Sequence, residues 1–256
     1  MLRAIGLVAW QTFTLLRRDK MVRAAVIAGF LTTVLALLAS TWSIEDRVKI
    51  LFDVGFFCFQ LVGSIMAIFW GSKSVGDSRQ DGAIEWQLAA PISRTSWLLG
   101  KYLGLAVSML LLGALLLIIW QLGMILGDYG ILSMRQLAVY LLMLLGWLVL
   151  LALSLLFSVS MRFSLALFAG VGGWLVGLTS AAVAAALTPE TPPEAQAVVR
   201  VLARAWDLQA FNLVDRVLEA PGISPASLLN HVGYGIVLIA IFLTVAALAS
   251  QRGDIA

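Results

Sequence analysis

Charge is scarce in this chain of 256 residues: Asp, Glu, Lys and Arg together make up 12% of it, against about 25% in a soluble domain. Hydrophobic residues make up 61% and fall in runs long enough to cross a bilayer, which takes about 20 residues each. The runs predict six spans, at 22–42, 50–71, 97–123, 137–160, 164–188 and 228–250. We therefore expect an all-α, polytopic membrane protein in which residues 1–256 form a single transmembrane domain.

Residues that build metal, redox or nucleotide sites are also nearly missing. Cys58 is the one cysteine and His231 the one histidine, and the eight methionines are scattered. An intrachain disulfide, a His/Cys metal site and a copper-transfer cluster are therefore not expected. The pattern Gly-x-x-x-x-Gly-Lys-Ser/Thr is absent, so the chain has no phosphate-binding loop of its own. We expect no catalytic residue, no metal and no cofactor bound by this chain.

Ionisable residues are almost absent from the predicted span interiors. Asp53 lies close to the start of the second span, and Arg162 falls in the tight loop between the fourth and fifth. Ion-coupled carriers usually keep acidic or basic relays at mid-membrane, where each costs at least about 2.5–3.5 kcal/mol. Their absence counts against a carrier of that class.

The basic residues predict the orientation. With the N-terminus in the cytoplasm, eleven of the 17 Lys and Arg residues lie inside and six outside, so both termini are expected to be cytoplasmic. The net charge of +3 is mostly this topological signal, and nucleic-acid binding is not expected. Residues 1–21 show helical spacing with an apolar side and predict an interfacial helix. The alternative is a frayed start to the first span.

The segment 72–96, on the cytoplasmic side, carries the most informative polar stretch. Its apolar residues sit beside charged ones, as in a binding surface with a polar rim, and a helix of this kind receives force or a signal from a soluble partner. The plain alternative is a solvated loop without a partner. The residues assigned to this surface are Asp81, Gly82, Ile84, Glu85, Trp86, Leu88, Pro91 and Arg94.

Two further features lie in the second half of the chain. Gly173 and Gly177 form a small-x-x-x-small pair, which serves either packing within one subunit or a dimer contact. The extracytoplasmic segment 189–226 begins with prolines and continues with apolar residues at helical spacing, at 198–206 and 211–218. It predicts two short amphipathic helices at the outer surface. Trp206 and Phe211 on their apolar faces are candidates for an outer gate, the alternative being a passive connector.

The stretch from Asp81 to Arg94, DGAIEWQLAAPISR, followed by LLGK at 98–101, resembles the coupling-helix signature of exporter-type ABC transporter permeases. Ala83, Trp86 and Gln87 stand where that signature usually has threonine and leucines. The stretch LQAFNL at 208–213 resembles an outer motif of the subgroup that includes permeases for maturation of nitrous-oxide reductase and other multicopper enzymes.

The resemblance implies a mechanism and partners. Two permease subunits pair as a homodimer in a bacterial inner membrane, and two copies of a separate ATPase, which holds ATP and Mg, dock beneath them. Ile84, Trp86 and Leu88 enter a groove on the ATPase. Membrane lipids and an extracytoplasmic protein are further expected partners. The alternative functions are a non-transporting scaffold for an enzyme complex and, disfavoured above, an ion-coupled carrier.

Overall fold

The computed structural model describes residues 2–42, 46–80, 93–187, 192–214 and 224–252. Every regular element within these ranges is a helix. A short 3-10 turn covers Gln209–Phe211. The α-helices are α1 (Leu2–Arg17), α2 (Lys20–Ser40), α3 (Arg47–Gln80), α4 (Arg94–Leu126), α5 (Met134–Ser160), α6 (Phe163–Ala185), α7 (Pro193–Ala205) and α8 (Pro225–Arg252).

Six of these helices, α2 to α6 and α8, are long and apolar enough to cross a membrane. This confirms the predicted six-span, all-α membrane protein. Helices α3 and α4 exceed the predicted spans 50–71 and 97–123 most clearly, since they have 34 and 33 residues. At 1.5 Å per residue each is about 50 Å long, whereas the hydrocarbon core is about 30 Å thick. Both helices therefore extend beyond the membrane.

The connections alternate between two ends of the bundle. We call the end where α3 stops at Gln80 and α4 starts at Arg94 the proximal end, and the end where α2 and α6 stop the distal end. Segment 81–92 joins α3 to α4 at the proximal end and lies outside the described residues. The Lys and Arg bias predicts that the proximal end is cytoplasmic.

Aromatic side chains fill the core between α3, α4 and α5. Trp120 packs edge-on against Phe56 and Phe59, and Tyr140 packs against both of these phenylalanines. Tyr140 also donates a hydrogen bond of 2.6 Å to the carbonyl of Gly113. Gly55 makes this packing possible, because a Cβ there would overlap the Trp120 ring. Edge-to-face pairs of this kind add about 0.5–1.5 kcal/mol each to burial.

The outward sides of α2, α6 and α8 are apolar and exposed. Phe30, Phe168 and Ile236 are more than half exposed, at 58%, 74% and 57%. Side chains of this type in a spanning helix face lipid, so these helices form the periphery around α3 and α5.

Helix α1 packs against the first turns of α4. A Cβ at Gly100 would lie 2.7 Å from the Cβ of Val8, and one at Gly104 would lie 2.7 Å from the Cβ of Thr12. Contacts advance four residues at a time on both helices, so α1 runs alongside α4 in the same direction. The predicted apolar side of α1 is the side that contacts α4. The placement of α1 at a membrane surface stays a prediction.

Candidate functional site

The helix that follows segment 81–92 has a well-defined start. Helix α4 begins after Ser93, whose Oγ accepts a hydrogen bond from the amide of Ser96. This N-cap fixes the first turn of α4 directly after the segment. Of the predicted coupling residues, Asp81, Gly82, Ile84, Glu85, Trp86, Leu88 and Pro91 lie outside the described residues, and Arg94 lies within them.

Arg94 ties the start of α4 to the end of α8. Its Nη1 donates a hydrogen bond of 3.0 Å to the carbonyl of Ser250. A second, longer bond of 3.4 Å joins Gln251 Nε2 to Thr95 Oγ1. The last carbonyls of a helix have no partner within it and favour a cation, so Arg94 satisfies the C-terminus of α8. A displacement of segment 81–92 would therefore reach α8 as well as α4.

Lys101 is a buried cation in this region that sequence reasoning did not single out. Only 8% of the residue is exposed, and its Nζ lies 5.5 Å from the centroid of the Trp97 ring. A cation over a desolvated indole contributes on the order of 2 kcal/mol. The sequence signal was the four-residue spacing of Trp97 and Lys101, which places both on one face of a helix.

Helix α3 is locked to α5 at Gly71, ten residues before segment 81–92 begins. A Cβ at Gly71 would lie 2.6 Å from the Cβ of Ser154 and 3.0 Å from the carbonyl oxygen of Leu151. Two residues on, Lys73 forms an ion pair of 3.5 Å with Asp19 at the start of α2. Because the backbones approach so closely, α3 and α5 are suited to move as one unit.

Gly173 and Gly177 contact other parts of the same chain. A Cβ at Gly173 would lie 2.8 Å from Leu153 Cδ2 of α5. A Cβ at Gly177 would lie 2.6 Å from Leu208 Cγ and 2.8 Å from Trp206 Nε1. The two glycines thus provide a groove on α6 in which α5 and the residues after α7 pack. A contact between two subunits through them stays a prediction.

Trp206 is inserted into this groove. Its Nε1 donates a hydrogen bond of 2.7 Å to the Gly173 carbonyl, and its own carbonyl accepts one of 2.8 Å from Ser180 Oγ. Its ring packs edge-on against Phe242 of α8, with 5.5 Å between centroids. Gly173 is twelve residues from Ala185, which is about 18 Å along α6 from the distal end. Trp206 therefore reaches about half-way through the bundle.

Phe211 lies equally deep, between α5 and α8. It is 1% exposed and stacks on Tyr234 with 5.7 Å between ring centroids. A Cβ added at Gly146 of α5 would lie 3.1 Å from the Phe211 Cβ. Tyr234 also accepts a hydrogen bond from the amide of Asp207 and donates one to the carbonyl of Ala205. The structure thus brings the two predicted gate residues together in one inserted segment, 206–214.

The inserted segment corrects one expectation about the distal region. Two helices resting on the surface were predicted, at 198–206 and 211–218. The first is present as α7, whereas Asn212, Leu213 and Val214 are not helical, and 215–223 lie outside the described residues. The amide of Leu208 donates instead to the Gly177 carbonyl, at 3.0 Å. Backbone groups inside a membrane must be paired, and α6 and Tyr234 supply partners that allow a non-helical path.

No cluster of three His, Cys, Asp or Glu side chains that could hold a metal lies within the described ranges. Residues 9–254 match the profile of the ABC-2 family transporter proteins. The chain belongs to this family. A search of curated proteins gave no match.

As an ABC-2 family protein, the chain is a membrane component of an ABC transporter, a permease with several membrane-spanning helices. The matched residues include both regions described above, namely the proximal ends of α3, α4 and α8 and the inserted segment 206–214. The family as a whole implies an ATPase partner.

Proposed function

We propose that this permease belongs to an exporter and receives the energy of ATP hydrolysis through segment 81–94 from a separate ATPase. Membership of the ABC-2 family, in a chain that has no phosphate-binding loop of its own, carries this proposal. ATP and Mg are then bound by the partner chain. This chain contributes the movement of its helices, which shift as rigid bodies between two packed states.

The contacts at the proximal end support a transmission of force from this segment. Helix α3, which precedes the segment, packs closely against α5 at Gly71. Helix α4, which follows the segment, is joined to α8 by the hydrogen bond of Arg94. A push on the segment would therefore move two pairs of helices, α3 with α5 and α4 with α8. Helix α1 would follow α4, because Gly100 and Gly104 hold it in close contact.

Ile84, Trp86 and Leu88 are the proposed anchors in a groove of the ATPase, with Asp81, Glu85 and Arg94 as the polar rim. Aromatic and aliphatic anchors of this type cost about 2 kcal/mol or more when truncated. We expect Trp86→Ala with Leu88→Ala to release the ATPase while the permease stays folded, which co-purification of the two chains would measure.

The matched control is Trp42→Ala with Leu126→Ala, at the distal end. These two side chains are equally apolar and 89% and 84% exposed, but they lie far from segment 81–92. The control should co-purify with the ATPase at the wild-type yield. If the Trp86/Leu88 variant does so too, the interface lies elsewhere and the proposal is wrong.

We further propose that Trp206 and Phe211 close the pathway at the distal end. Their insertion between α5, α6 and α8 supports this role, because separation of these helices would remove the contacts of both rings. We expect Trp206→Asp and Phe211→Asp to uncouple ATP hydrolysis from movement, since a buried carboxylate is costly enough to displace the segment. ATPase docking should survive in both variants.

The finer assignments rest on the sequence. They are a homodimer with two ATPase copies, a bacterial inner membrane with both termini in the cytoplasm, and an extracytoplasmic partner protein. The motif at 208–213 supports the subgroup that serves maturation of multicopper enzymes, and three of its residues, Leu208, Phe211 and Leu213, are buried. A permease of this subgroup could either export a cargo or transmit a conformational signal across the membrane without one.

A further inference from the structure

We infer that the permease binds one anionic phospholipid at the junction of α1 and α2, with its phosphate on the basic residues of the junction and one acyl chain in a cleft beside α4. The junction is the turn at Arg18 and Asp19 that separates the two helices. Helix α2 is a candidate span whose 21 residues measure about 31 Å, close to the thickness of the hydrocarbon core. The junction therefore lies at headgroup level.

Basic residues dominate the junction. Arg17, Arg18, Lys20 and Arg23 are all exposed there, and within the described part of the chain no carboxylate forms an ion pair with any of them. Asp19, the acidic residue among them, is engaged twice. Its Oδ2 pairs with Lys73 at 3.5 Å, and its Oδ1 accepts the Met21 amide at 3.0 Å as the N-cap of α2. The four cations are thus available to a phosphate group, and clusters of four or more beside a span attract anionic lipids.

A cleft opens next to these cations. It is an open cleft between α1, α2, α3 and α4, and Arg17 is part of its wall. The remaining polar lining comes from Trp70 and Ser108. The apolar lining residues are Phe13, Leu16, Val22, Leu111, Leu112 and Leu115. A wall of this composition suits an acyl chain rather than a polar headgroup.

The cleft opens towards lipid. Leu111 and Leu115 in its wall are 43% and 37% exposed on the outward side of the spanning helix α4. A lipid can therefore enter sideways from the bilayer. Trp70, at the closed side, is 1% exposed, and its indole N–H is a donor without a partner among the described residues. A lipid ester carbonyl is an acceptor of the kind that this donor lacks.

Two independent features thus select the same ligand. The cations select a negative headgroup, and the cleft selects a chain attached to it. A free phosphate would use only the first feature, and a neutral lipid only the second. An anionic phospholipid uses both.

The test is native mass spectrometry of the purified, delipidated permease, titrated with phosphatidylglycerol or phosphatidylcholine of the same acyl chains. The first binding event should be about tenfold or more tighter for phosphatidylglycerol. Arg17→Gln with Arg18→Gln and Lys20→Gln should abolish this preference, because each cation near a membrane surface contributes about a factor of five. The control, Arg135→Gln with Arg200→Gln and Arg204→Gln, removes the same charge from exposed positions elsewhere and should keep the preference.

Leu111→Trp tests the cleft separately, because the indole would fill it from the exposed side. It should weaken the first binding event for both lipids, and glycerophosphoglycerol, which has the headgroup and no chains, should not compete. The inference is wrong if the wild-type protein shows no preference between the lipids, or if both triple variants lose it equally. It is also wrong if Leu111→Trp binds both lipids as the wild type does, or if the chain-free headgroup competes.

Discussion

At the scale of single residues, the glycines decide how closely the helices approach. The sequence left two roles open for Gly173 and Gly177, packing within one subunit or a dimer contact, and in the structure both glycines contact other parts of the same chain. It could not predict that Trp206 and Leu208 occupy the groove, since these residues are about 30 positions away and bond to the carbonyls of α6. Lys101 was missed for a related reason: its spacing places it on the same face of α4 as Trp97, but its burial depends on how α4 packs against the other helices.

Gly177→Ala should destabilise the permease, whereas Gly172→Ala should not. The new methyl group at 177 would lie 2.6 Å from Leu208 Cγ, and overpacking of this kind costs about 1–3 kcal/mol. Nothing lies within 4 Å of a Cβ at Gly172, so that variant should gain up to about 1 kcal/mol from helix propensity. Thermal unfolding in detergent measures both, and equal melting temperatures would contradict the groove.

At the scale of elements, long apolar runs predicted the spans, and helical spacing predicted the helix before them. The runs gave the existence of each spanning helix but not the length of α3 and α4, because their polar continuations carry no membrane signal. Residues 211–218 were predicted to form a surface helix, since Phe211 and Val214 recur at helical spacing. Tertiary contacts with Gly146, Tyr234 and Gly177 instead determine the path of the inserted segment 206–214.

Gly104→Val should detach α1 from α4. A Cβ at this position would already lie 2.5 Å from the carbonyl oxygen of Ala9 and 2.7 Å from Thr12 Cβ, so α1 must shift at a cost of about 1–3 kcal/mol. Amide hydrogen exchange in α1 should become about tenfold faster while exchange in α5 and α6 is unchanged. The matched control is Gly6→Val in α1 itself, where nothing lies within 4 Å. Unchanged protection of α1 in Gly104→Val would contradict the packing.

At the scale of the whole molecule, the sequence predicted six spans in one domain, and composition sufficed because a bilayer demands long apolar runs. The coupling surface is a prediction from sequence alone, through its resemblance to exporter permeases. The arrangement around it needed the structure: α3 and α4 extend towards segment 81–92, and Arg94 links it to α8.

The orientation is open to a direct test. In a Cys58→Ser background, a membrane-impermeant thiol reagent added to intact cells should label a cysteine at Pro193 and leave one at Gly82 unlabelled, because the Lys and Arg bias predicts that the proximal end is inside. Both positions should react after lysis. Labelling at Gly82 in intact cells would reverse the topology.

The central claim is that segment 81–94 receives an ATPase, and a photo-crosslinking residue in place of Trp86 tests it most directly. Irradiation of living cells should link the permease to an ABC-type ATPase, identified by mass spectrometry of the adduct. The same residue in place of Trp42, which is 89% exposed at the distal end, should give no such adduct. An adduct from position 86 without an ATPase, or the same ATPase captured from position 42, would contradict the account.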